Sequence, residues 1–287
     1  MEAQIEYVGV SGAELWTSRQ GCGPALVLCH GGPGMWDYLG PVAEMVDDLA
    51  TVYRYDQRGC GRSSGGPPFD VATAVADLEE LREHWRLPRW VVAGHSWGAT
   101  LALAYCLTHP DRATALVYIS GTGIDPSWHA EYKANQAVRF GRDGQSRLAE
   151  LKERLGRAQG PEFAAVSREL CELAYATDIA DQGRARELAR ALFVDDIHPN
   201  YELNRLLGKD ARHFAENESM PERLTALRVP ALVVHGDADP RPVWAARKVA
   251  GLLPNARLVT LPGVGHCPWL ERPELLREAL RGVLTGV

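Results

Sequence analysis

Ser96 stands between Gly94 and Gly98 in the run Val91-Val92-Ala93-Gly94-His95-Ser96-Trp97-Gly98-Ala99-Thr100. A serine hydroxyl is a poor nucleophile alone. It needs an imidazole to accept its proton and a carboxylate to fix the imidazole's tautomer and stabilise the cation. Those types recur downstream, as His266 in Gly263-Val264-Gly265-His266 and as two acids in Gly236-Asp237-Ala238-Asp239. Asp239 is the expected partner of the histidine. Asp237 is the alternative, but it directly follows Gly236 and can cap the turn through its own side chain. Ser96, Asp239 and His266 together predict nucleophilic acyl transfer.

Each of these residues needs an element to hold it. Trp90 to Ala93 reads as a buried strand and Trp97 to about Leu107 as an apolar, alanine-rich helix. Strand, sharp turn and helix form the setting of a nucleophile elbow, with small residues two places either side of the serine. The oxyanion that forms during acyl transfer needs backbone N–H donors. One is expected from Trp97, the residue after the serine. The other is expected from Gly32, in the loop His30-Gly31-Gly32-Pro33-Gly34 that follows the apolar run Ala25 to Cys29. Gly31 of that loop is a candidate substrate contact. His30, His95 and His235 sit at strand ends beside glycine turns and read as structural or pocket-wall residues.

The remaining chain alternates strands with helices. Residues 2–9 and 13–19 suggest an antiparallel hairpin across Ser11-Gly12. Thr51 to Tyr55 is a strand that runs into Asp56-Gln57-Arg58-Gly59-Cys60-Gly61-Arg62-Ser63. Arg58 and Arg62 of that stretch are either ion-paired supports or substrate contacts. Asp70 caps a helix with Val71, Val75, Leu78, Leu81 and Trp85 on one face. Further strands are read at 115–120, 231–235 and 257–261, with helices at 243–253 and 273–284. From about Ile124 to Arg228 the strand texture gives way to charged amphipathic segments, near 127–140, 145–158, 161–177 and 183–193. The fold class is therefore α/β, an α/β-hydrolase fold with a mostly parallel doubly wound sheet and an inserted helical cap. The core is expected over 1–121 and 229–287, and the cap over 122–228. The three reactive types occur in the order Ser, Asp, His that such a sheet requires, each at the carboxyl end of a strand.

Composition narrows the function. The net charge of -6 gives no electrostatic reason to expect nucleic acid or an anionic membrane as partner. No secretory leader or membrane-length apolar run is visible, and the six cysteines show no C-x-x-C pair. They read as reduced thiols of a cytoplasmic protein, Cys267 beside His266 included. No metal-ligand spacing is present, and no cofactor is implied.

His30-Gly31-Gly32-Pro33-Gly34, Asp56-Gln57-Arg58-Gly59-Cys60-Gly61-Arg62-Ser63 and Gly94-His95-Ser96-Trp97-Gly98 together resemble the proline iminopeptidase branch of the α/β-hydrolase fold. The resemblance is close over about 25–120 and clear over about 229–270. It implies a serine exopeptidase that removes N-terminal proline, with a triad on Ser96, Asp239 and His266. Two departures stand out. The family has glycine where His95 precedes the serine. The family also grips the substrate's free amine with cap glutamates, one in a Trp-x-x-Trp-Glu segment that does not occur in 122–228. Glu172, Glu187 and Glu202 are the candidate substitutes, or else solvated helix-surface charges. The expected substrate is a small molecule or short peptide. The alternative activity is an esterase or lactonase acting on a small apolar metabolite. A ligand-binding relative that has lost hydrolysis is the alternative of another class.

Overall fold

A computed structural model gives the structure, which describes residues 3–194 and 197–286. Eight strands form one sheet: β1 (Gln4–Val10), β2 (Ala13–Gly21), β3 (Ala25–Cys29), β4 (Thr51–Tyr55), β5 (Trp90–His95), β6 (Ala113–Ile119), β7 (Ala231–Gly236) and β8 (Ala256–Leu261). Their spatial order is β1-β2-β4-β3-β5-β6-β7-β8. β1 and β2 pair antiparallel as the hairpin, and β2 meets β4 antiparallel. The other pairings are parallel.

The central strands are apolar on both faces because helices cover both. Val27, Val92, Leu116 and Val233 face one layer, with Leu78 and Leu81 of the helix Val71–His84 and Leu101 of the helix Trp97–Thr108. Leu26, Leu28, Val91, Val117 and Val234 face the other, with Val42 of the helix Gly40–Val46 and Leu276 and Leu280 of the helix Pro273–Leu284. Alternation of period two thus survives inside strands that read as continuous apolar runs.

The chain leaves β3 toward one edge to make β4, then crosses back to make β5 on the other side. The connections that leave the paired carboxyl ends of β3 and β5 therefore run to opposite faces of the sheet, which opens a crevice where ligands of such sheets bind. The loop 30–34 and Ser96 flank that crevice.

Between β6 and β7 the described residues form only helices: Trp128–Leu155, Gly160–Ala176, Ala185–Arg190, Tyr201–Ala215 and Met220–Ala226. The first is broken at Gly141, where φ is 60° and ψ is -175°. The last two lie where the sequence reading placed no helix. For Tyr201–Ala215, Pro199 reads as a breaker and hides the start signal next to it. Asn200 is the N-cap, its side chain accepting from Leu203 N–H at 3.0 Å. Leu203 and Leu207 of that helix pack against the layer over Val71–His84.

Candidate active site

The turn after β5 is tight because two glycines permit it. A Cβ on Gly94 would meet the Gly98 carbonyl oxygen at 1.9 Å, and one on Gly98 would meet the Cys29 oxygen at 2.0 Å. Strand, turn and helix therefore pass at backbone contact. Ser96 between them has φ 57° and ψ -118°, a strained conformation for a residue with a side chain. Such strain costs on the order of 1–3 kcal/mol and is held by the surrounding structure. Ser96 N–H donates to Ile119 O at 2.9 Å. Ser96 is the N-cap residue of Trp97–Thr108, yet its hydroxyl makes no capping bond. That leaves Oγ at the mouth of a helix N-terminus, where negative charge is favoured.

Asp239 and His266 meet beside the residue before this serine, with the His266 ring 4.5 Å from the His95 ring. His266 Nδ1 lies 2.6 Å from Asp239 Oδ2. The second oxygen, Oδ1, accepts the Arg241 backbone N–H at 2.8 Å. The Arg241 guanidinium reaches the same oxygen at 3.4 Å and Asp178 Oδ1 at 2.9 Å. Burial alone would raise the Asp239 carboxyl, but His266 and Arg241 beside it outweigh that and hold it well below the usual carboxylate range. Asp237 is elsewhere: its Oδ1 accepts Gly263 N–H at 2.7 Å, a turn-capping bond. His266 is fixed through its backbone as well, donating to Asp178 O at 2.7 Å.

A cavity of about 260 Å³ opens over Ser96. Gly32, Pro33, Trp97 and Thr100 line it from the sheet side, with Arg241 at its flank. Trp128, His129, Tyr132, Asn204, Ala211, Arg212 and Glu216 line it from the helical segment. Both expected oxyanion donors, Trp97 and Gly32, therefore border the same space as Ser96. As the first helical residue, Trp97 has an N–H with no intrahelical acceptor. Gly31 lies under the cavity wall; a Cβ there would meet Tyr38 Oη at 2.4 Å and Ser96 Cβ at 3.0 Å.

The three acids expected from the sequence lie apart from this cavity. Glu172 pairs with Arg190 at 3.0 Å and Arg168 at 3.4 Å. Glu187, with a side chain 67% exposed, pairs with Arg184 at 2.8 Å. Glu202 is exposed on the first turn of Tyr201–Ala215. Among the described lining residues the one carboxylate is Glu216, which the sequence reading missed. It follows the helix Tyr201–Ala215 and lies 2.8 Å from His129 Nε2. Its signal was its position fourteen residues beyond Glu202, at the C-terminal cap of a helix hidden by Pro199; without that helix it had no wall to belong to.

The Asp56–Ser63 stretch supports rather than lines the site. Asp56 takes the Arg62 N–H at 2.7 Å and its guanidinium at 2.6 and 3.0 Å. Arg58 reaches Asp77 of the helix Val71–His84 at 2.9 Å. Gln57 carries the effect to the elbow, donating to His30 O at 2.8 Å and accepting from Trp97 Nε1 at 2.8 Å. Among the described residues no group of three or more His, Cys, Asp or Glu side chains is set to hold a metal ion. No described helix is long and apolar enough to cross a membrane.

Sheet order, elbow and crevice define a class of protein, and comparison with known sequences agrees. The alpha/beta hydrolase fold family matches residues 24–273, and the chain belongs to that family. It is an enzyme of the hydrolase class. Within the family it is similar to proline iminopeptidases. It is 43% identical over 98 residues to a putative proline iminopeptidase of Mycoplasma pneumoniae, a match covering 33% of this chain and 32% of that one. It is 29% identical over 282 residues to the proline iminopeptidase of Xylella fastidiosa strain 9a5c, covering 85% and 83%. Among solved structures, the enol-lactonase of Burkholderia xenovorans LB400 superposes with a TM-score of 0.72 at 19% identity, over 98% of this chain and 100% of that one. That last likeness concerns the fold alone.

Proposed function

We propose that the chain is a serine hydrolase working through an acyl-enzyme on Ser96, with 122–228 acting as a cap. Ser96 Oγ attacks the substrate carbonyl while His266 Nε2 takes its proton. Asp239 holds the imidazole in that tautomer and stabilises the imidazolium. The N–H groups of Trp97 and Gly32 receive the oxyanion. His266 then gives the proton to the leaving amine or alcohol. A water, deprotonated by His266, releases the acyl group and restores Ser96. The observation that carries this reading is the buried bond of 2.6 Å between His266 and Asp239, with the His266 ring 4.5 Å from that of His95, the neighbour of a strained serine at the head of a helix.

The substrate in this reading is a small peptide or amide with N-terminal proline or a similar residue. The proline iminopeptidase relatives support it, and so does Glu216, a carboxylate facing the cavity that can accept from a protonated amine. An ammonium buried without such a partner would cost several kcal/mol. A cavity of about 260 Å³ suits a small ligand. Buried free cysteines at positions 29, 60, 106, 171 and 267 fit a cytoplasmic enzyme. One observation favours esterase or lactonase action as the second reading. Glu216 already bonds His129, and Trp128, Tyr132, Ala211 and Ala215 make much of the remaining wall apolar.

The test compares kcat/KM for prolyl p-nitroanilide with that for p-nitrophenyl acyl esters lacking an amine. Preference for the prolyl amide, lost on N-acetylation, supports the peptidase reading. Preference for the ester overturns it in favour of the second. A protein that neither hydrolyses these compounds nor reacts at Ser96 with a fluorophosphonate would contradict the serine mechanism itself.

A further inference from the structure

Beneath the cavity runs a buried hydrogen-bond chain that the acyl-transfer steps do not use. Gly31 N–H donates to Tyr38 Oη at 2.8 Å. Tyr38 Oη lies 2.7 Å from His95 Nδ1. His95 Nε2 lies 2.9 Å from the backbone oxygen of His266. Each direction in this chain is determined. A carbonyl oxygen only accepts, so His95 Nε2 carries the hydrogen. Burial, and then His266 beside it, push the His95 pKa well below the usual histidine value, so the ring is neutral and Nδ1 accepts. The Tyr38 hydroxyl therefore donates to Nδ1, and its oxygen receives the Gly31 N–H.

Packing holds the same groups. The His95 ring lies 4.5 Å from the His266 ring and meets Trp269 edge-on at 4.6 Å. Tyr38 stacks on Trp269 at 5.8 Å. Gly31 precedes Gly32 in the loop after β3, and His95 precedes Ser96 after β5. The chain thus joins three strand ends: those of β3, β5 and β8.

We propose that Tyr38 and His95 are positioning residues, forming a brace that sets His266 at a fixed distance from the Gly31–Gly32 loop and Ser96. The proposal rests on the reading of Ser96, His266 and Asp239 as the reacting groups. Tyr38 and His95 are not among the described residues lining the cavity, so the brace acts on geometry and not on substrate affinity. A misplacement of about 1 Å in such a site costs roughly 10²-fold in rate. His266 keeps its bonds to Asp239 and Asp178 when the brace is cut, so the loss is partial.

The experiment measures kcat and KM of Tyr38→Phe, His95→Leu, His95→Gln and Ser96→Ala. The substrate is prolyl p-nitroanilide or p-nitrophenyl butyrate, whichever wild type turns over faster, and fluorophosphonate labelling is followed in parallel. Tyr38→Phe removes one oxygen and keeps the stack on Trp269, so it serves even where His95→Leu fails to fold. In Tyr38→Phe and His95→Leu, kcat and the labelling rate are expected to fall together by about 10- to 100-fold, with KM within about twofold. His95→Gln, which retains a donor and an acceptor, is expected to recover most of the loss. Wild-type kcat in folded Tyr38→Phe and His95→Leu, with Ser96→Ala inactive, overturns the brace alone. So does a change in KM at constant kcat, or a loss that glutamine does not recover. An active Ser96→Ala overturns instead the reading on which the brace rests.

Discussion

The carboxyl edge of the sheet and the helical segment 122–228 both carry many charged and polar side chains, yet they use them in opposite ways. At the sheet edge those groups are buried and bonded to one another. The Asp239 and His266 side chains are 0% and 2% exposed, and Asp56 is wholly buried between Arg62 and the Asp37 backbone. In the helical segment many of the pairs face water, those of Asp178 and Glu216 beside the site excepted. Arg157–Glu153 and Arg184–Glu187 each join side chains that are more than half exposed. A buried polar group left unpaired costs on the order of 1–3 kcal/mol, and more when charged. An exposed pair contributes about 0–1 kcal/mol. The sheet edge is thus built to hold one geometry, whereas the helical surface tolerates change, and substrate preference is free to vary there.

The sharpest break in that contrast comes from Ser96→Ala and His266→Ala. Each is expected to remove nearly all turnover, by about 10⁶-fold as in other triads, with folding intact by circular dichroism. Because the two act as a unit, the double variant is expected to be scarcely worse than either single one. Multiplicative losses would count against a shared mechanism.

Asp239→Asn comes next, with kcat expected to fall by about 10⁴-fold through loss of the correct tautomer. Asp237→Asn touches only the exposed Gly263 turn and is expected to stay near wild type. Equal effects in steady-state assays would refute the difference between the two acids.

Glu216→Gln tests the helical side of the cavity. For prolyl p-nitroanilide kcat/KM is expected to fall about 10-fold or more, one charge-assisted hydrogen bond being worth roughly 1.5–3 kcal/mol. For p-nitrophenyl butyrate it is expected to change by less than about twofold. An equal fall on both substrates would remove Glu216 from amine recognition.

Stability should follow the buried sheet edge as pH changes. Burial lowers the pKa of His30, His95 and His235 below the ordinary value near 6.5. Below about pH 6.5 the unfolded chain therefore binds protons that the folded one refuses. Stability is expected to fall on acidification by up to about 1.4 kcal/mol per pH unit for each such histidine. The paired Asp239 carboxylate adds its own loss below about pH 4, as the pH drops through the unfolded value toward the lower folded one. Urea unfolding at pH 7.5, 6 and 5 reads the histidine term; a flat midpoint would contradict it.

The smallest effect is expected at the exposed pairs. Glu187→Gln breaks the bond to Arg184 and should alter the urea-unfolding free energy by less than about 1 kcal/mol and kcat/KM by less than about twofold. A tenfold fall in kcat/KM would return Glu187 to the site.

Much was legible in the residues alone. Short apolar runs ending in glycine-rich turns marked the central strands. Gly94-x-Ser96-x-Gly98 marked the turn, because a Cβ at either glycine would come within about 2 Å of a backbone oxygen. These are local signals, set by sterics within a few residues, and they carried the fold and the order of Ser96, Asp239 and His266. The tertiary structure alone decided what meets across long separations. Whether Arg58 and Arg62 touch substrate depended on Asp77 and Asp56 being there to take them. The carboxylate that faces the cavity depended on how the helix Tyr201–Ala215 lies over Ser96. A glutamate on an amphipathic helix has the same local pattern whether it points to solvent or into a cavity. Only the packing of that helix separates Glu216 from Glu172, Glu187 and Glu202.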